Sequence, residues 1–172
     1  MKTLNWRCTG WVARNFIFSG EDGNLGKLTF NSGWNFNAIY DDKETRLKFT
    51  QKSFWDGDIL IVKDGKTVGE IHTGLFGEQI LILATGERFT LSTSLWEQEA
   101  CWKNDGGETI ITYQQSAMSS LRNGSITLKD SLALETERLL ISSGLFARQI
   151  TRKRIARTVA IIIPIIAAAS RL

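Results

Sequence analysis

The chain is 172 residues long and has 21 Lys/Arg against 18 Asp/Glu, which gives a formal net charge of +3. Charged residues make up 23% of the chain, an ordinary proportion for a globular protein, so extensive disorder is excluded. A chain of this length is expected to form one domain with its own hydrophobic core.

The charge is divided unevenly along the chain. Residues 1–137 hold 14 Lys/Arg and 18 Asp/Glu, a formal charge of −4, whereas residues 138–172 hold seven Lys/Arg and no acidic residue. The positive charge therefore comes from a basic and apolar C-terminal region. Such a region favours a lipid-facing or barrel-filling role over an active site.

The N-terminal sequence and the cysteines predict where the protein works. The first eleven residues contain no apolar stretch, so no secretory signal peptide is expected. Cys8 and Cys101 are the two cysteines, and without a secretory context they favour buried thiols in a reducing compartment. The predicted location is cytoplasmic, either peripheral at the membrane or anchored in it by the C-terminal tail.

The first 130 or so residues have the pattern of an all-β body. Asp-Gly and Asn-Gly pairs, which supply the positive φ angles of tight hairpin turns, recur between runs rich in Phe, Trp, Ile, Val and Thr. Apolar and polar residues alternate in several runs, as in strands with one solvent-exposed face. The spacing predicts roughly ten to twelve strands in an antiparallel meander, sandwich or barrel. The clearest strands are expected at residues 11–18, 25–30, 34–40, 47–50, 59–63, 68–72, 79–83, 88–92, 109–113 and 125–129.

Two hairpins share a glycine inside a strand. Gly26 follows the turn residue Gly23, and Gly69 follows Gly65, with alternating residues after each. A glycine within a strand usually marks a bend or a bulge. Two such kinks in equivalent hairpins are expected to help curl the sheet into a barrel.

Residues 139–150 predict a buried helix. Leu139, Leu140, Leu145, Phe146 and Ile150 cover most of the helical circumference, and small residues fill the remainder. A helix that is apolar nearly all round is buried on all sides or lies in lipid. In a β-protein of this size, the bore of a barrel is the place that buries it.

These patterns together resemble the tubby C-terminal-like superfamily, whose relatives include the LURP-one-related proteins and the phospholipid scramblases. The matching segments are residues 25–28, 68–71, 86–91 and the helix at 139–150. The resemblance covers about residues 5–152 and implies a twelve-stranded barrel around a central helix. It also implies lipid binding, because tubby domains bind phosphoinositides.

The tail beyond the helix, residues 153–172, is predicted as a separate basic and apolar unit after a barrel domain at 1–152. Its apolar part, residues 159–169, is shorter than the roughly 20 residues that span a bilayer. The basic residues before it fit a helix lying at the membrane interface. Two alternatives stay open: residues 159–169 fill the barrel, or one long helix runs from about 135 to 169 with a bend at Pro164.

Catalytic groups are scarce. His72 is the sole histidine, so a Ser-His-Asp triad with a spare base and a site with several histidine ligands are excluded. The carboxylates at 41–42 and at 56 and 58 could bind a cation, but they lack EF-hand spacing and are interpreted as turn residues. The acidic body has no basic groove to accompany its tryptophans, which disfavours nucleic acid. No enzymatic activity, cofactor or metal is predicted.

The sequence and the resemblance therefore predict a non-enzymatic barrel that docks on an anionic phospholipid membrane through its C-terminal region. Two other classes stay open: a small-ligand-carrying barrel of lipocalin type, and a protein–protein interaction module. The cations expected to meet lipid phosphates are Arg148, Arg152, Lys153, Arg154 and Arg157. The side chains expected to insert are Ile161, Ile162, Ile163, Ile165 and Ile166.

Overall fold

The structure, a computed structural model, is a closed antiparallel barrel of twelve strands that surrounds the first part of one long C-terminal helix. The fold predicted from the sequence is thereby confirmed. Side chains of the helix are described as far as residue 154. The structure describes residues 1–10, 15–21, 23–31, 36–53, 57–74, 77–94, 98–116, 122–129 and 132–169.

Each strand pairs with its neighbours in the sequence, and β1 closes the barrel by pairing with β12. Twelve strands with one consistent antiparallel register leave the wall without a free edge. The strands are β1 (Lys2–Thr9), β2 (Asn15–Gly20), β3 (Gly23–Phe30), β4 (Ala38–Asp41), β5 (Arg46–Gln51), β6 (Ile59–Lys63), β7 (Lys66–Thr73), β8 (Gln79–Leu83), β9 (Arg88–Ser94), β10 (Glu99–Asn104), β11 (Thr109–Gln115) and β12 (Asn123–Leu128).

The inner face of the wall forms the hydrophobic core. In β5, Leu47 and Phe49 are at most 1% exposed, whereas Lys48 between them is exposed. The same two-residue period holds in β1, where Leu4 and Trp6 point inward. In these strands the alternation of apolar and polar residues sets which side chains face the bore.

The two strand glycines mark bulges, as predicted. The pairing of β2 with β3 shifts by one residue beside Gly26, and the pairing of β6 with β7 shifts beside Gly69. A third shift occurs in the equivalent hairpin, β10–β11. Bulges increase local twist and bend a strand, so three of them help the sheet to close.

The helix α1 (Leu134–Ala169) passes through the bore. Its residues from 139 to 150 are buried, apart from Arg148, which is partly exposed. Phe146 stacks on Phe30 of β3 and Phe49 of β5, with ring centroids 5.5 and 4.5 Å away. On the opposite wall, the Tyr113 hydroxyl of β11 donates to the Leu140 carbonyl oxygen at 2.5 Å. Contacts with walls on both sides place this segment along the barrel axis.

This arrangement decides between the alternatives for the tail. Residues 139–150, not 159–169, fill the bore, and the helix then continues without interruption to Ala169. The backbone therefore follows the single-helix alternative, and no break separates position 152 from 153. The predicted bend at Pro164 stays a prediction.

The rim where α1 enters the barrel, called here the start rim, holds the helix by ion pairs. Odd-numbered strands begin at this rim. Glu135 pairs with Lys63 at 2.7 Å, and Glu137 pairs with Lys2 at 2.6 Å. Arg138 lies 2.9 Å from the Asp42 carboxylate. The two glutamates also suit the first helical turn, where the helix dipole favours negative charge.

Candidate functional site at the exit rim

The opposite end of the barrel, called here the exit rim, is where α1 leaves the bore and where the odd-numbered strands end. Residues 148–154 of the helix lie against this rim. Their partners belong to the end of β3, the residues before β4, β6 and β10, and the end of β11. Four of the five predicted lipid-binding cations, Arg148, Arg152, Lys153 and Arg154, are therefore gathered at a single end of the molecule.

Arg148 is held inside the mouth of the barrel. Its Nη2 donates to the Gln98 carbonyl oxygen at 3.2 Å and to Gln115 Oε1 at 3.5 Å. Its Nη1 is buried without a hydrogen-bond partner. Burial lowers the pKa of this guanidinium to about 10, an effect that nearby Tyr113 opposes and Arg152 reinforces. Arg148 is thus a poorly compensated positive charge beneath the rim surface.

Lys153 and Arg154 lie across aromatic rings of the rim. The Lys153 ammonium is 4.8 Å from the centroid of Phe30, and the Arg154 guanidinium is 5.6 Å from that of Phe36. Arg154 also donates to the Gly57 carbonyl oxygen at 2.8 Å. Burial lowers the pKa of Arg154, while Asp58 acts in the opposite direction. These contacts fix the direction in which the helix leaves the barrel.

The remaining predicted residues differ in how far the structure describes them. Arg152 is exposed on the helix at the exit rim. The side chain of Arg157 and those of the five predicted inserting isoleucines, at 161–163, 165 and 166, lie outside the described residues. Their backbone belongs to α1, which carries them away from the bore. The predicted cations therefore meet three kinds of surroundings, which the sequence alone does not distinguish: Arg148 lies in the mouth, Arg152 is exposed, and Lys153 and Arg154 lie on aromatic rings.

The two rims differ in the sequence of the connections between strands. At the start rim the connections are polar and rich in acids, as at 21–22, 42–45, 64–65 and 105–108. At the exit rim every connection includes large apolar residues, and four include tryptophan. These side chains lie outside the described residues, and chain order alone assigns them to these connections. They are Trp11, Trp34, Phe54, Trp55, Leu75, Phe76, Leu95, Trp96, Met118 and Leu121.

A polar cluster on the outer wall next to the exit rim was not predicted. His72 Nδ1 lies 2.7 Å from Asp58 Oδ2, and His72 Nε2 lies 3.8 Å from Glu70 Oε1. Lys52 donates to Glu70 at 2.9 Å. From the sequence, Asp58 is interpreted as a turn carboxylate and is not connected with His72. The two-residue spacing of Glu70 and His72, which places both on one face of a strand, is the signal that could have indicated the cluster. Register across the β6–β7 hairpin brings the three together.

No helix within the described part of the chain is long and apolar enough to cross a membrane. Comparison of the chain with protein-family models, with curated proteins and with solved structures finds no match. The fold and the chemistry of the exit rim are therefore the features that point to a function.

Proposed function

We propose that this protein is a non-enzymatic barrel that docks on anionic phospholipid membranes with its exit rim. The observation that supports the proposal most directly is the course of α1. Its buried segment is fixed in the bore, and the helix continues about 28 Å past Ile150 to Ala169 by the usual rise per residue. The barrel thus holds a basic and then apolar helical segment at one end of the molecule.

Two contributions to membrane binding are combined in this segment. Each cation near an anionic surface contributes about 1 kcal/mol, and residues 152–157 include four. The apolar residues 159–169 extend about 16 Å as helix, roughly half of a bilayer's 30 Å hydrocarbon core. Charge would hold the helix at the headgroups while the isoleucines enter one leaflet.

The composition of the exit-rim connections supports the same orientation. Tryptophan is favoured at the membrane–water interface, because its ring is apolar and its N–H is polar. Four of the six tryptophans of the chain belong in sequence to these connections. The acid-rich connections of the start rim are less suited to an anionic surface, which favours the exit rim as the docking face.

The resemblance to tubby-like proteins is part of this proposal. The fold that the resemblance implied, a twelve-stranded barrel around a central helix, is the fold of this chain. Membership of that superfamily stays a prediction, and fold alone does not imply lipid binding. Cytoplasmic localisation, peripheral at the membrane, is proposed on the same grounds.

The lipocalin-type alternative is disfavoured by the helix in the bore. A carrier of that type needs an open cavity inside the wall, whereas Leu140, Leu145 and Phe146 occupy the axis here and are completely buried. An interaction module that docks through the tail on another protein is the remaining candidate, and the membrane experiment distinguishes it.

Co-sedimentation with liposomes tests the proposal. We expect binding to vesicles that contain anionic lipid, weaker binding to neutral vesicles, and a decrease at high ionic strength. Changing Arg152, Lys153 and Arg154 to Ser should weaken binding about ten- to a hundredfold, since Arg154 already contacts Gly57 and contributes less than a free cation. Truncation after Arg157 should leave only weak, salt-sensitive attraction.

A matched control removes the same charge from the other end of the barrel. Lys27, Lys43 and Lys66 are exposed at or near the start rim, and their replacement by Ser should reduce binding far less. Melting temperatures of both triple variants establish that the barrel is intact. Equal binding to neutral and anionic vesicles, insensitive to salt and to the exit-rim substitutions, would contradict membrane docking and favour a protein partner.

A further inference from the structure

A cluster of one imidazole and two carboxylates lies on the outer wall beside the exit rim. Asp58 precedes β6, and Glu70 and His72 lie on one face of β7, so the hairpin register brings them together. The three candidate ligand atoms all lie within 4.8 Å of one another. This distance is short enough for one ion to touch all three after small side-chain rotations.

The cluster is both rigid and accessible. Asp58 Oδ1 accepts a hydrogen bond from the backbone N–H of Thr73 at 3.2 Å, which orients the carboxylate toward His72. The side chains of Asp58 and Glu70 are 14% and 23% exposed, whereas that of His72 is 39% exposed. Solvent can therefore supply further ligands on the open side, as in zinc sites with three protein ligands and water.

The electrostatic surroundings favour a cation. The Lys52 ammonium lies on the Glu70 carboxylate, so a cationic group already occupies one side of the cluster. The Arg154 guanidinium interacts with Asp58 as well, so the two carboxylates already attract two cationic groups. A dication would bind both carboxylates and release Lys52, whose flexible side chain can turn to solvent.

We propose that Asp58, Glu70 and His72 form a binding site for a divalent transition-metal ion of the zinc type. The imidazole nitrogen favours such ions, because calcium and magnesium prefer oxygen ligands in larger numbers. This site is independent of the membrane proposal, although it neighbours Gly57, the carbonyl partner of Arg154. No step of membrane docking requires it.

The single histidine makes the test direct. The histidine signals in an NMR spectrum of the full-length protein need no assignment, because every imidazole resonance belongs to His72. We expect zinc to shift the imidazole ¹⁵N resonances in a saturable manner, with the same dissociation constant as calorimetry gives. Magnesium and calcium at equal concentration should leave these resonances in place.

Substitutions provide the second measurement. His72→Ala and Asp58→Asn should each weaken zinc binding at least about tenfold, because each removes a metal ligand. Asp64→Asn is the matched control: it removes a carboxylate from the turn of the same hairpin at the start rim and should leave the affinity unchanged. Unchanged melting temperatures would show that the barrel is intact, since the substituted side chains lie on the outer wall.

Two results would overturn the proposal. One is the absence of zinc binding at concentrations up to the millimolar range. The other is binding that leaves the His72 resonances unmoved or survives both ligand substitutions, which would assign the metal to other groups such as the thiol of Cys8. Liposome binding is measured separately, so failure of the zinc site and failure of membrane docking are distinguishable.

Discussion

Phe146 is the residue that joins the helix most closely to the wall. Its ring is completely buried and stacks between Phe30 and Phe49, with interplanar angles of 4° and 22°. Aromatic pairs of this kind add to the free energy gained from burial. Two strands that are not neighbours are thereby connected through one side chain of the helix.

Phe146→Ala should lower the free energy of unfolding by about 3–5 kcal/mol, because it removes a buried ring and leaves a cavity between two aromatic walls. Chemical denaturation measures the effect. Leu134→Ala on the same helix is the control, since Leu134 is 53% exposed and should change stability by no more than about 0.5 kcal/mol. An unchanged unfolding midpoint for Phe146→Ala would contradict the packing described.

Gly144 allows the helix to approach Tyr113. A Cβ at this position would clash with the Tyr113 ring and hydroxyl, which is hydrogen-bonded to the Leu140 carbonyl oxygen. Tyr113 is completely buried, so the ring has little room to move.

Gly144→Ala should therefore destabilise the protein, although alanine is the better helix former. Overpacking costs about 1–3 kcal/mol and the helix preference returns about 1 kcal/mol, so a net loss of up to about 2 kcal/mol is expected. Thermal unfolding measures it. Gly65→Asn is a useful comparison, because Gly65 lies in a turn with φ of 78° and open space around it. A higher melting temperature for Gly144→Ala would show that the close approach is absent.

At the scale of elements, α1 is one helix in two environments. From Leu139 to Ile150 it is apolar on nearly every side and surrounded by the wall, and from Arg152 onward it is basic and then apolar again. Arg148 lies at the change between them. Its buried charge has no carboxylate partner among the described residues, so the charged form opposes folding.

Arg148→Met should leave the melting temperature equal or raise it, while weakening binding to anionic vesicles. Because the pKa of Arg148 in the folded protein, about 10, is below its ordinary value, the wild type gains stability as the pH rises through 10. The methionine variant should lack this gain. Arg152→Met serves as the comparison: it removes an exposed cation and should weaken vesicle binding, while the gain of stability at high pH stays because Arg148 is still present. A clear fall in the melting temperature of Arg148→Met would contradict the interpretation that the buried charge of Arg148 opposes folding.

The sequence predicted most strands and the buried helix because local patterns encode them. Gly26 and Gly69 predicted the bulges, and the apolar residues on all sides of the helix at 139–150 predicted that it lies in the bore. Strand β10 was missed because Ala100, Cys101 and Trp102 are buried in succession, which breaks the alternation. Strand β1 was missed although Leu4 and Trp6 do alternate, since no turn residues precede it.

The site was less predictable because it depends on tertiary register. Which arginine lies inside the mouth and which outside follows from how deep the helix sits, and Tyr113 and Phe146 set that depth. The contact of Asp58 with His72 depends on the pairing across β6–β7, where a bulge shifts the register. Neither the depth of the helix in the bore nor the shifted register of β6–β7 can be predicted from a short stretch of sequence.

At the scale of the whole molecule, the barrel separates the acid-rich connections of the start rim from the basic part of α1 and the apolar connections at the exit rim. The two rims lie at opposite ends of the same twelve strands, so the separation is built into the topology. Such a charge distribution orients a protein before it touches an anionic surface.

Docking by the exit rim should be visible in tryptophan fluorescence. Trp6 and Trp102 are buried in the core and should be unaffected, whereas the four tryptophans assigned by sequence to exit-rim connections should enter the interface. We expect a blue shift on binding to anionic vesicles, and quenching by lipids that carry a quencher in the upper acyl chain. If the protein sediments with vesicles and its emission does not change, another surface makes the contact.

The closure of the wall by β1 and β12 has a consequence for biosynthesis. The first strand cannot complete its pairing until the last one has been made, and the helix that fills the bore follows later still. Contacts so distant in sequence make folding slow. During synthesis, the aromatic inner face of the wall therefore stays uncovered until β12 and α1 have emerged, and uncovered apolar surface of this kind is prone to aggregation.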